Sequence, residues 1–178
     1  MPGYSWTGSA WKKVLRKTMW TGSAWKDIKS SHRWTGSAWE TIYSSFMPSG
    51  MTKNASAQNW TGAATTQVTG MVAESGSTLL GSALTPNGSK TGAPVNAQVA
   101  ISNTNFMSSI TAELRKNGTL VPGGTVTVST ISAATAILTI PTRAVDVVGT
   151  DQFTIWITPS GSTGGTIAAG VNTYVRIA

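Results

Sequence analysis

Acid–base or metal chemistry in this chain would have to be built from one histidine, six carboxylates and no cysteine among 178 residues. His32 belongs to a fourteen-residue repeat in which Thr18 and Phe46 occupy the equivalent positions, so the repeat does not depend on an imidazole. In the later chain the acids Glu74, Glu113, Asp146 and Asp151 are scattered, and only the last two are close in sequence. A calcium site needs six or more oxygen ligands, and acids flanking a turn ordinarily hold no metal. Gly88-Ser89-Lys90-Thr91 has the ending of a phosphate-binding loop but not the G-x4-G-K-[ST] spacing or a strand-loop-helix setting. No serine is accompanied by a base and an orienting acid in a recognised motif. The sequence therefore predicts no catalytic residue, no metal and no cofactor. What remains is binding by tryptophan.

Trp-Thr-Gly-Ser-Ala-Trp occurs three times, at Trp6 to Trp11, Trp20 to Trp25 and Trp34 to Trp39, with a period of fourteen residues. If Gly8 and Ser9 are the central residues of a turn, Trp6 and Trp11 lie directly opposite each other, and the other copies repeat the pairing. Gly-Ser suits a type II′ hairpin turn, because glycine tolerates the positive φ of the first central position. Facing indoles prefer edge-to-face contact, worth about 0.5–1.5 kcal/mol per pair beyond burial. The W-x4-W spacing is similar to that of designed tryptophan-zipper hairpins. A lone two-stranded hairpin is marginal in water, so the indoles are expected to pack on one another or on a partner. Val14, Ile28 and Ile42 share one repeat position, which predicts an apolar residue on each returning strand. Trp60-Thr61-Gly62-Ala63-Ala64 is either a decayed fourth copy or a chance likeness.

Charge gathers on the same segment. Residues 1–53 carry eight Lys and Arg against Asp27 and Glu40, a net +6, whereas 54–178 carry five against four, a net +1. The candidate interface residues are thus Trp6, Trp11, Trp20, Trp25, Trp34 and Trp39, with Lys12 and Lys26 beside them. Aromatic residues interleaved with bases could stack on single-stranded nucleic acid, but indoles paired with each other have fewer free faces. Aromatic hairpin repeats also occur in cell-wall modules that hold choline, although those repeats are longer and differ in motif. Packing of hairpins into a stack or onto a partner subunit is the reading preferred over both.

The rest of the chain must supply a scaffold. Apolar residues make up 40% and charged residues 11%, with Gly, Ser, Thr and Ala abundant, which suits an all-β protein with many turns. The predicted organisation is tandem hairpins over 1–47, a linker over 48–63 with the boundary near residue 54, and an antiparallel β-sandwich, jelly-roll-like, over 64–178. Eight strands are expected: 67–73, 78–84, 95–102, 109–116, 119–129, 134–140, 152–158 and 172–177. Asn117-Gly118 between apolar runs predicts a type I′ hairpin. Phe153, Ile155 and Ile157 alternate with Thr154, Trp156 and Thr158, and Val126 and Val128 alternate with threonines, so each strand offers one face to a core. Pro122, Pro141 and Pro159 are placed at run ends or near turns. Gly161 to Gly165 is expected to be a flexible loop. The start lacks the pattern of a signal peptide and no apolar run approaches a membrane span, so assembly without secretion and without membrane insertion is expected. The Asn-x-Ser/Thr matches at Asn54, Asn59, Asn87 and Asn117 are then accidental.

The chain resembles virion structural proteins of tailed bacteriophages, in particular small minor tail proteins of phages that infect actinobacteria. The residues that carry this are the Trp-Thr-Gly-Ser-Ala-Trp-Lys units at 6–12 and 20–26, with Glu40 in place of the lysine in the third, and the ending Gly164-Gly165-Thr166-Ile167-Ala168-Ala169-Gly170…Tyr174-Val175-Arg176-Ile177. The resemblance implies a non-enzymatic protein of the virion, assembled in the host cytoplasm. It would act by assembly with other virion proteins, often as a homotrimer. A capsid decoration or head-fibre protein, or a module that holds a host surface glycan through loops such as Gly161 to Gly165, are the alternatives.

Overall fold

In the computed structural model each Gly-Ser turn closes a two-stranded hairpin: β1 (Tyr4–Trp6) with β2 (Trp11–Lys13), β3 (Thr18–Trp20) with β4 (Trp25–Asp27), and β5 (Ser30–Trp34) with β6 (Trp39–Ser44). The structure describes residues 4–13, 17–28, 30–44, 46–54, 56–102, 107–129, 135–161 and 164–178. Trp6 pairs with Trp11, Trp20 with Trp25 and Trp34 with Trp39, the register that the spacing predicts. Gly8, Gly22 and Gly36 have φ of 88°, 91° and 97°, while the serines that follow are not left-handed. A positive φ at the first central residue alone separates the type II′ turn from type I′. Ile28 extends the second hairpin by donating its N–H to the Lys17 carbonyl at 2.8 Å. Ile42 falls at a register shift opposite Ser31 and His32, and Val14 lies outside the described residues.

The chain divides into two compact units, Met1–Phe46 and Met47–Ala178. The second unit is all strand among its described regular elements: β7 (Ser49–Lys53), β8 (Gln58–Thr61), β9 (Thr66–Gln67), β10 (Met71–Ala73), β11 (Thr78–Leu80), β12 (Ala83–Thr85), β13 (Lys90–Ser102), β14 (Ser109–Lys116), β15 (Thr119–Ser129), β16 (Thr135–Val147), β17 (Phe153–Ser160), β18 (Gly164–Ile167) and β19 (Tyr174–Ile177). One antiparallel sheet runs β10-β7-β19-β13-β18-β8, with β16 on the other side of β13, and the second runs β11-β12-β17-β14-β15, with β9 also paired to β17. Their inner faces meet in a core that includes Met51, Val99, Leu138 and Ile177 from the first sheet and Leu114, Phe153 and Ile157 from the second, all essentially inaccessible. The fold is an all-β, jelly-roll-like sandwich, as the alternation of small β-formers predicts.

Several expectations change. The stretch 48–63 is not a linker, because it holds β7 and β8. β7 sits between β10 and β19, and four of its five residues are buried. Its Ser49 and Gly50 read as linker composition, yet both are buried, and Gly50 lies against the Glu74 side chain. A Cβ at Gly50 would lie 2.2 Å from the Glu74 carboxylate, which pairs with Arg176 at 2.8 Å. The run 78–84 is a tight hairpin, β11 to β12, and the run 67–73 splits into β9 and β10, which belong to different sheets. Gly164 and Gly165 belong to β18 rather than to a loop, while residues 162–163 lie outside the described residues. Pro141 lies inside β16, where pairing with β13 shifts register between Val95 and Ala97, and Pro122 lies inside β15 near the shift between Glu113 and Arg115. A bulge removes the need for the N–H that proline lacks. Val126 and Val128 are only half-buried, because β15 pairs on one side alone.

The β14–β15 turn of the sandwich is held by a polar lock. Asn117 and Gly118 have φ of 52° and 80°, both positive, as a type I′ turn requires. Asn117 donates from Nδ2 to Asp151 Oδ1 at 2.8 Å and accepts at Oδ1 from the Gln152 N–H at 2.8 Å. Asp151 Oδ2 accepts from the Val148 N–H at 2.8 Å and pairs with Lys116 Nζ at 2.9 Å. Burial pushes the Asp151 pKa up, but these donors outweigh it and hold the carboxyl below the usual aspartate value.

Candidate interaction surface

Threonine, invariant in the repeat, braces each turn. Thr7, Thr21 and Thr35 donate their hydroxyls to the carbonyls of Ala10, Ala24 and Ala38 at 2.9, 3.0 and 3.0 Å, and their N–H groups donate to the same carbonyls at 3.0 Å. In the third copy the Ala38 N–H also donates to Thr35 Oγ1 at 3.2 Å. This role was missed in reading the turn from Gly-Ser alone. The signal was present in the sequence, since threonine before glycine occurs in all three copies.

The ladder bond from threonine to alanine lies just beyond the tryptophan pair, so the tryptophans occupy a non-hydrogen-bonded position, where opposed Cα atoms are closest. Trp20 and Trp25 have ring centroids 5.7 Å apart at 54°, and Trp34 and Trp39 are 5.5 Å apart at 53°. These are tilted aromatic contacts within the range that favours attraction. Each ring is still more than half exposed: Trp20 and Trp34 at 53% and 52%, Trp25 and Trp39 at 68% and 69%, with Trp6 at 54%. The side chains of Trp11 and Lys12 lie outside the described residues. Pairing thus brings the predicted tryptophans together but does not bury them.

Register also separates the aromatic and basic groups. Side chains alternate across a strand, so Lys26, one residue after Trp25 and paired with Met19, lies on the face opposite the indoles. Lys17 and Ile28 share that second face by the same alternation. In the first hairpin Lys12 pairs with Ser5 at the corresponding position, and in the third Arg33 pairs with Glu40. The second hairpin therefore has an indole face and a second face on which Met19 and Ile28 mix with Lys17 and Lys26. With the unit boundary at residue 46, seven bases stand against Asp27 and Glu40 in the hairpin unit, a net +5, and Lys53 moves to the sandwich, a net +2.

Trp60 does not continue this surface. It lies in β8 opposite Gly165 of β18, is 4% exposed, and packs so closely that a Cβ at Gly165 would be 2.3 Å from its ring. Its Nε1 is buried without a hydrogen-bond partner. The short Trp-Thr-Gly likeness thus serves a core contact there, with no facing indole. Among the described residues, no group of three or more His, Asp or Glu is placed to hold a metal ion. Asp151 is engaged with Lys116, and Asp146 Oδ1 accepts from the Gly92 N–H at 2.7 Å. The Gly161 to Gly165 segment, expected to be a flexible loop and named in the alternative glycan-binding reading, is in part strand.

No protein-family model and no curated protein matches the chain. Among solved structures, a chain described as Eiger TNF from S. frugiperda is similar, with a TM-score of 0.56 and 11% sequence identity, covering 74% of this chain and 91% of that one. At that identity the likeness extends to the fold alone, an all-β sandwich of jelly-roll type.

Proposed function

We propose that the chain is a structural component of a bacteriophage virion, a minor tail or tail-tip protein whose tryptophan hairpins attach it to neighbouring virion proteins while the sandwich projects. The observation that carries this reading is the Trp-to-Trp register repeated on three separate hairpins, with Trp6, Trp20, Trp25, Trp34 and Trp39 all more than half exposed, in a chain whose sandwich has its own core. Tryptophan is among the residues most enriched in interface hot spots, and an exposed pair on a small hairpin gains most by being covered. A net +5 steers the hairpin unit toward an acidic partner. The protein acts by assembly, without catalysis or a cofactor, in the host cytoplasm and then in the particle. Copies associate as a homo-oligomer, with a trimer favoured.

The test is to purify particles of the encoding phage, separate heads from tails, and detect the chain in each fraction by mass spectrometry. Detection in tails supports the minor tail reading. Detection in heads would instead favour a capsid decoration or head-fibre protein, and absence from particles would overturn both.

A further inference from the structure

The three hairpins share one turn structure as well as one sequence motif. The threonine hydroxyl contacts agree within 0.1 Å, and the two described indole pairs agree within 0.2 Å and 1°. Exposure repeats position by position, near 53% for the first tryptophan and near 68% for the second. What differs lies outside the motif: Met19, Arg33 and Met47 share one repeat position, and Leu15, Lys29 and Tyr43 share another. One turn and one tryptophan register have been kept three times while the residues outside the motif changed.

We propose that the hairpins are three equivalent binding units that engage three copies of one acidic site, repeated across the surface of a protein lattice. The inference rests on the reading of this unit as a virion attachment device and specifies the partner. Eight residues lie between the last tryptophan of one unit and the first of the next, a span of nine residue steps, so consecutive contacts lie at most about 30 Å apart, the extended length of that stretch. The partner must therefore repeat its site within that distance, as an array of identical subunits does. Charge selects the chemistry. Seven bases on the hairpin unit disfavour a second copy of the same unit as the cover for the indoles and favour a surface rich in Asp and Glu around an apolar cleft. Once one hairpin is bound, the next searches at an effective concentration near millimolar, so weak single contacts multiply.

The experiment uses the full chain and three variants, each with one tryptophan pair replaced by alanine: Trp6 and Trp11, Trp20 and Trp25, or Trp34 and Trp39. Two in-register deletions are added, of residues 20–33 and of residues 6–33, which leave two hairpins and one. The probe is immobilised phage particles assembled without this gene product. Loss of any one pair should weaken apparent affinity by a similar factor, about tenfold or more, and the deletions should weaken it stepwise. Raising the salt concentration should weaken all of them. Loss confined to one hairpin, or affinity indifferent to hairpin number, would overturn trivalent binding while leaving attachment standing. Affinity indifferent to salt would overturn the acidic partner. Failure of the full chain to bind would overturn both the trivalent inference and the attachment reading.

Discussion

Asp151 carries the residue-scale consequence that is easiest to measure. Its carboxyl is buried, accepts from Asn117 and Val148, and pairs with Lys116. Its pKa is lowered in the folded chain, so the lock contributes stability above the ordinary aspartate value of 3.8 and loses it as pH falls through the folded value. Thermal unfolding from pH 6 downward should show this acid loss, and Asp151→Asn should flatten that part of the profile. At neutral pH Asp151→Ala strands several donors and should lower stability by about 2 kcal/mol. Gly22 makes a second, simpler case. A Cβ there meets nothing within 4 Å, so Gly22→Ala tests the positive φ alone and should cost about 1 kcal/mol. In a hairpin so marginal, that is enough to remove the exciton signal of the Trp20–Trp25 pair in far-ultraviolet circular dichroism. The turn and the facing tryptophans were legible in the sequence because W-x4-W around Gly-Ser leaves few registers open. The threonine brace was equally local and went unread because it lies one residue outside the turn.

At the scale of elements, legibility falls with distance along the chain. β14, β15 and the hairpin between them follow from Asn117-Gly118 and flanking alternation, all local signals. β7 does not, because Ser49-Gly50-Met51-Thr52-Lys53 becomes a buried strand only when β10 and β19 lie on either side. The pairing of β8 with β18 is similar: Trp60 and Gly165 fit each other and carry no mutual signal in sequence. Gly165→Ala has no φ penalty and a direct clash with the Trp60 ring, so it should destabilise the sandwich by about 1–3 kcal/mol through overpacking. The measurement is chemical denaturation followed by the fluorescence of the buried indole. An unchanged midpoint would contradict the contact. Repacking around a smaller Trp60→Phe ring in the same variant should recover part of the loss.

For the whole molecule the division falls between residues 46 and 47, within one residue of the expected end of the hairpins, and what it revises is where the sandwich begins. A fragment spanning 47–178 should fold with the thermal midpoint of the intact chain, whereas one spanning 54–178 lacks β7 and should not fold cooperatively. Composition placed the boundary too late, because a strand made of small and polar residues looks like a linker until its neighbours are known. Attachment to an acidic virion surface, the function we propose for the hairpin unit, is the task that its exposed indoles and net +5 suit. The most direct test replaces Trp11, Trp25 and Trp39 by alanine together in the phage and weighs the chain in purified particles against the wild type. The account predicts that the variant is made, that its sandwich unfolds at the wild-type temperature, and that it is absent from particles. Incorporation at the wild-type level would contradict it.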